Sequence, residues 1–177
     1  DAMGHSRLAD LIAAHPPLAQ ACETGPDDAC FWLYSSGSTG SPKGTVHLHS
    51  HLMPTAVLYA QAILGLRHDD VVFSAAKLFF AYGLGNALTF PLSVGATTVL
   101  WPGRPTPDDV FAVLKQHRPS IFYGVPTLYA SLLAHPERPS AQELGLRMCT
   151  SAGEALPAEI GNHWQKAYGC EILDGIG

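Results

Sequence analysis

From His49 onward, short apolar runs alternate with longer stretches whose apolar residues recur every three or four positions. Compact apolar runs fit strands buried within a sheet, and the longer spacing fits helices with one covered face. This pattern predicts helices over residues 49–64, 83–94, 126–134 and 157–168, and strands over 71–75, 96–101, 120–123, 147–151 and 171–173. A further helix starts at Thr106-Pro107-Asp108-Asp109, with a capping hydroxyl, a first-turn proline and two acids at the positive end of the dipole. Its buried stripe is Val110, Val113 and Leu114. In the last helix Ile160, Trp164 and Ala167 point inward, and Gly169 is placed as its stop.

Upstream, residues 6–15 read as a helix with Leu8, Leu11 and Ile12 on one face, ended by Pro16-Pro17. A Pro/Gly/Asp-rich connector leads to Asp28, and residues 29–34 form an apolar run without alternation, the mark of a strand buried on both faces. Strands alternating with helices imply right-handed βαβ units. The predicted class is therefore α/β, a mainly parallel sheet with helices on both faces. Residues 1–28 read as helix and connector from a preceding subdomain, and 29–177 as part of a ligand-binding domain. A strand running into Asp174-Gly175-Ile176-Gly177 is a place where α/β folds build sites, so the chain is expected to be an internal piece of a longer protein.

Composition supports a well-packed body, with 47% hydrophobic and 14% charged residues among 177. So little surface charge suits a piece covered by the rest of its parent, or a homodimer interface. A net charge of -5 without a Lys/Arg cluster argues against nucleic acid or an anionic membrane as partner. With no signal-like N-terminus and no long apolar run, the expected location is cytoplasmic. Cys22, Cys30, Cys149 and Cys170 form no CxxC pair and read as free thiols.

The densest chemistry lies in Ser35-Ser36-Gly37-Ser38-Thr39-Gly40-Ser41-Pro42-Lys43-Gly44, directly after an apolar strand. Glycines let the backbone curl, hydroxyls and amides can donate to phosphate oxygens, and Lys43 adds a compact positive charge. The spacing is neither that of a Walker loop, where Lys follows Gly, nor GxGxxG. His47, His49 and His51 invite a metal reading, but they straddle the predicted strand-to-helix junction and have no acidic or Cys neighbour, so no metal site is assigned. Phe79, Phe80 and Tyr82 around Ala81 suit either the wall of a pocket for a flat ring or ordinary core packing.

Residues 35–44, together with the succeeding TVHLHSHL, resemble the phosphate-binding signature of adenylate-forming enzymes, the superfamily of acyl-CoA synthetases, luciferases and peptide-synthetase adenylation domains. Two further segments fall in that family's order: residues 150–157 (TSAGEALP) resemble its adenine-side turn, and Asp174-Gly175-Ile176-Gly177 the opening of a segment the family continues with Thr-Glu. Residues 77–86 and 123–129 look most like benzoate-CoA and 4-hydroxybenzoate-CoA ligases.

The resemblance implies that ATP and an aromatic carboxylate form acyl-AMP and pyrophosphate with Mg²⁺, and that coenzyme A then displaces AMP. It assigns Lys43 and Thr39 to catalysis, and Ser36, Gly37, Ser38, Thr39, Gly40 and Lys43 to the phosphates. Gly153, Glu154, Ala155, Asp174, Gly175, Ile176 and Gly177 would border the nucleotide, and Ala81, Tyr82, Ala152 and Gly153 the acyl group. Phe80 stands where many relatives carry a His that gates the thiol channel, and His49 where a structural His is common. The Thr-Glu acid and the C-terminal domain with its adenylating lysine lie outside the chain, which by itself is expected to be inactive. Competing readings are a non-catalytic nucleotide-binding module and a phosphoryl-transfer enzyme that would yield ADP.

Overall fold

A computed structural model describes residues 7–35 and 40–175. Its centre is a five-stranded, all-parallel sheet ordered β4-β3-β5-β6-β7, built from β3 (Val71–Ser74), β4 (Thr97–Val99), β5 (Ile121–Gly124), β6 (Met148–Ala152) and β7 (Ile172–Gly175). Alternate side chains leave each strand on opposite faces. Phe73, Phe122 and Cys149 therefore join one core with α4 (Pro107–His117), α5 (Pro126–Ala134) and α7 (Ala158–Tyr168). Val72, Ile121 and Tyr123 join a second core, against Ala60 and Leu64 of the α2 region (49–61, running on to a turn at Leu64) and against Tyr82 and Phe90 of α3 (81–94). The α/β class with helices on both faces is thus observed.

Local chemistry explains the ends. The Thr106 Oγ1 caps α4 by accepting from the Asp109 amide at 3.3 Å. Gly169, at φ 67°, stops α7 in the left-handed conformation that glycine adopts without strain. A short helix, α6 (Ala141–Leu144), carries a capping box in which Glu143 accepts from the Ser140 amide and hydroxyl, both at 2.8 Å. The amino edge of the sheet is locked by Asp70, which is 2% exposed. Its carboxylate accepts from Arg147 Nη2 at 2.6 Å, Arg147 Nε at 3.0 Å, Ser120 Oγ at 2.6 Å and the Arg67 amide at 2.8 Å. Burial alone would raise the Asp70 pKa; the Arg147, Ser120 and Arg67 hydrogen bonds and the Arg147 charge outweigh it and bring the pKa down to about 2.

Three local expectations fail. Residues 29–34 do not enter the parallel sheet. β1 (Ala29–Ser35) pairs antiparallel with β2 (Lys43–Leu48) in a separate two-stranded ribbon. Its Trp32 and Tyr34 are exposed, so the lack of alternation reflected surface this chain leaves uncovered rather than two buried faces. Second, α1 (Leu8–Ala14) buries nothing: Leu8, Leu11 and Ile12 all face outward, because no described element lies against them. Third, α2 and α3 are not uniform α-helices. Each contains a π segment, Ala56–Gln61 and Gly85–Thr89. In α3 the widened turn directly precedes Pro91, which has no amide hydrogen to continue an α ladder.

Candidate active site

The carboxyl ends of the strands open onto two cavities, the edge where α/β folds place ligands. The larger, of 890 Å³, is bounded by Ala75 and Ala76 after β3, Val125 and Thr127 after β5, and Ala152 and Gly153 at the end of β6. The smaller, of 490 Å³, lies under the π segments of α2 and α3 and is lined by Leu58, Tyr59, Asn86, Phe90 and Gly175. Ala81, Tyr82 and Ala152 line both, so they stand at the partition between the two spaces. Gly83 lets this wall form: a Cβ there would lie 2.0 Å from the Lys77 carbonyl oxygen, so any side chain would displace the backbone.

The predicted phosphate loop falls in the segment that joins β1 to β2. Ser35 and Lys43 are Cα partners at its base, and Gly40 has φ 83°. Tyr34, one residue before the loop, lines the larger cavity and so fixes the loop's base beside it. Lys43 is exposed at the start of β2. Ser36, Gly37, Ser38 and Thr39 lie outside the described residues, as do Ile176 and Gly177.

The turn predicted to face adenine is tied to the next strand. Asp174 Oδ2 accepts from the Leu156 amide at 3.1 Å, and Ala152 pairs in register with Gly175. This pairing presents Gly153, at φ 90°, and the exposed Glu154 and Ala155 beyond the sheet edge. Asp174 therefore has a bond within the protein, which the sequence did not suggest. Lys77 also lines the large cavity, but its Nζ donates to the carbonyls of Trp101 and Gly103. Phe80 is an exposed wall of the same cavity, whereas the exposed Phe79 packs against Phe80 at a centroid distance of 4.6 Å; neither belongs to the core.

Hydroxyl groups gather behind the small cavity. The Tyr82 hydroxyl and Thr150 Oγ1 are 2.6 Å apart. Burial raises the Tyr82 pKa strongly, with the Thr150 bond only partly offsetting it, so the phenol stays neutral. Tyr59 is raised in the same way by burial and offset by Thr150. Tyr59, Asn86 and Phe90 were missed as lining residues by sequence reasoning. They sit on helices whose π turns shift the facing positions, and no local motif marks them. Within the histidine string, His47 stacks on Phe31 at 4.9 Å and lies edge-on to His51 at 5.7 Å, while His51 Nδ1 accepts from the Leu48 amide at 3.3 Å. Among the described residues no group of three His, Cys, Asp or Glu side chains converges to hold a metal ion.

The parallel α/β sheet with two cavities at its carboxyl edge is the fold found in adenylate-forming enzymes of known structure. The chain belongs to the AMP-binding enzyme family, matching it over residues 4–177. It is 65% identical over 174 residues to the benzoate–CoA ligase of Thauera aromatica, covering 98% of this chain and 33% of that protein. Among solved structures, a benzoate CoA ligase from Burkholderia xenovorans matches with a TM-score of 0.88 at 61% identity, over 96% of this chain and 34% of that one. The anthranilate CoA ligase AuaEII, solved in complex with anthranoyl-AMP, matches with a TM-score of 0.90 at 42% identity, over 98% of this chain and 34% of that one. The chain spans about a third of the length of the relatives it matches.

Proposed function

We propose that the protein containing this chain activates an aromatic carboxylate, benzoate or a close analogue, with ATP to acyl-AMP and pyrophosphate, and then passes the acyl group to coenzyme A. The observation that carries this reading is the partition: Ala81, Tyr82 and Ala152 separate an apolar space suited to a ring from a larger space beside the phosphate-type loop. The 490 Å³ cavity lies within the roughly 300–1,000 Å³ range of small-molecule sites, and its aromatic lining fits a flat apolar body. The similarity to benzoate–CoA ligase supports the same acid.

In this reading the ring enters the smaller cavity and its carboxylate reaches the partition, while Gly153, Glu154, Ala155, Asp174, Gly175, Ile176 and Gly177 border the nucleotide. Lys43, Thr39 and the donors of residues 36–40 take the phosphates, so that two anions can approach. A carboxylate held in line with the α-phosphate is already a sufficient nucleophile, and positioning supplies most of the acceleration. Mg²⁺ would accompany ATP and neutralise phosphate charge. The described residues build no carboxylate cluster for it.

We assign residues 1–28 to the connector from a preceding subdomain and 29–177 to part of the ATP- and acyl-binding domain, with catalysis requiring the remaining chain. The exposed Trp32, Tyr34 and Val46 of the ribbon are surface for that remainder, or for a second copy in a homodimer. No helix among the described residues is long and apolar enough to cross a membrane. We place the enzyme in the cytoplasm because its co-substrates ATP and coenzyme A are found there, with no nucleic acid or membrane as partner. The full-length protein supplied with benzoate, 4-hydroxybenzoate, 2-aminobenzoate or a fatty acid should release AMP with the aromatic acids first. ADP as the sole nucleotide product would overturn the proposal in favour of phosphoryl transfer, and acid-independent binding without turnover in favour of a non-catalytic module.

A further inference from the structure

We propose that Thr150 is a positioning residue for the acid pocket, holding Tyr82 in place so that the wall admits a planar ring and excludes a puckered one. This rests on the reading of the 490 Å³ cavity as the aromatic-acid site. Thr150 is fully buried in the middle of β6 and lines neither cavity, so it can act only through its neighbours. Its Oγ1 lies 2.6 Å from the Tyr82 hydroxyl. The Tyr82 wall of the cavity, carried by α3, is thereby referred to a hydroxyl on the sheet 68 residues away in sequence.

The strand itself is firmly placed. Thr150 pairs with Tyr123 and Leu173 on either side, and its carbonyl accepts from the Tyr129 hydroxyl at 2.8 Å. A hydroxyl on a fixed strand is a rigid reference, whereas Tyr82 sits in the short first turn of α3, beside the π segment, where helical geometry is less constraining. Without the Thr150 hydroxyl the Tyr82 phenol has no described hydrogen-bond partner and must seek one by tilting, either toward the cavity or toward solvent. Either motion changes the gap between Tyr82 and the opposite wall, and the width of that gap decides whether a flat or a puckered ring fits.

The test is a pair of substitutions in the full-length enzyme. Thr150→Val keeps shape and removes the hydroxyl; Thr150→Ser keeps the hydroxyl. Thr150→Val should raise the KM for benzoate about tenfold, leave the KM for ATP within about twofold, and weaken discrimination between benzoate and cyclohexanecarboxylate about tenfold. Thr150→Ser should restore both readouts, and Tyr82→Phe should reproduce the Thr150→Val pattern without adding to it in the double variant. Unchanged benzoate KM and ring selectivity in Thr150→Val, with only a lower melting temperature, would overturn the proposal and leave Thr150 a core hydroxyl. Calorimetry with benzoate on the unsubstituted enzyme separates the two levels. Absence of both benzoate binding and AMP release there removes the aromatic-acid reading itself, and this role with it.

Discussion

Enlarging Ala81 separates a pocket from a packing defect. Ala81 opens α3 directly after the extended Phe80 and borders three cavities, of 890, 490 and 150 Å³. Leucine is a good helix former, and the position is exposed, so Ala81→Leu should change folding stability by no more than about 0.5 kcal/mol. The three added carbons project instead into the space given to the ring. Overpacking of a filled site costs about 1–3 kcal/mol, which converts to roughly fivefold to a hundredfold in affinity. AMP release by the full-length protein should therefore show a benzoate KM raised by that factor, with the KM for ATP near its starting value and an unshifted melting temperature. Ala87, in the same helix but 4% exposed and part of the core, supplies the opposite case. Ala87→Leu should lower the melting temperature and spare the benzoate KM. An Ala81→Leu enzyme with unchanged benzoate KM would refute the placement of the ring.

The sheet edges carry two further predictions. The Asp70 pKa falls from the usual 3.8 to about 2 on folding, a difference of about 2 units that corresponds to about 2 kcal/mol. A depressed carboxylate stabilises the fold above its unfolded pKa, so this contribution should be complete above about pH 5 and lost as pH falls through about 4 to 2, as followed by acid denaturation. Asp70→Asn should remove that pH dependence and cost on the order of 3 kcal/mol by stranding Arg147; an unaltered acid midpoint would contradict the assignment. At the carboxyl edge, Lys43→Ala should slow acyl-AMP formation far more than thioester formation from supplied acyl-AMP, since the β- and γ-phosphates are present only in the first. Equal losses in the two half-reactions would take Lys43 away from the phosphates.

The alternation of strands and helices from Val71 to Tyr168 was legible because β3, β5 and β6 are largely buried and α4 and α7 show their covered stripe at regular spacing. Trp164, Ile160 and Ala167 of α7, or Val110, Val113 and Leu114 of α4, could be placed from the sequence alone. Positions at strand ends, such as Ala152 and Gly153, were legible through their motif, and the sheet register then carried Gly175 to the same edge. The ribbon was not legible, because Phe31, Trp32 and Leu33 read as interior when nothing in the local sequence tells which parts of a larger body cover them. Tyr59 and Asn86 were hidden for a different reason. A π turn changes the residue spacing within a helix, so counting at 3.6 residues per turn assigns the wrong face to the residues beyond it. Thr150, enclosed in a strand, carries no sequence mark of its contact with Tyr82, 68 residues away.

Attack of a carboxylate on the α-phosphate of ATP beside the Lys43 loop has its sharpest test in isotope exchange between labelled pyrophosphate and ATP. In the full-length protein, without coenzyme A, label should enter ATP only when benzoate or a close analogue is present, because reversal requires bound acyl-AMP. Exchange that proceeds without any acid, or no exchange while ATP is converted to ADP, would show that no such attack takes place.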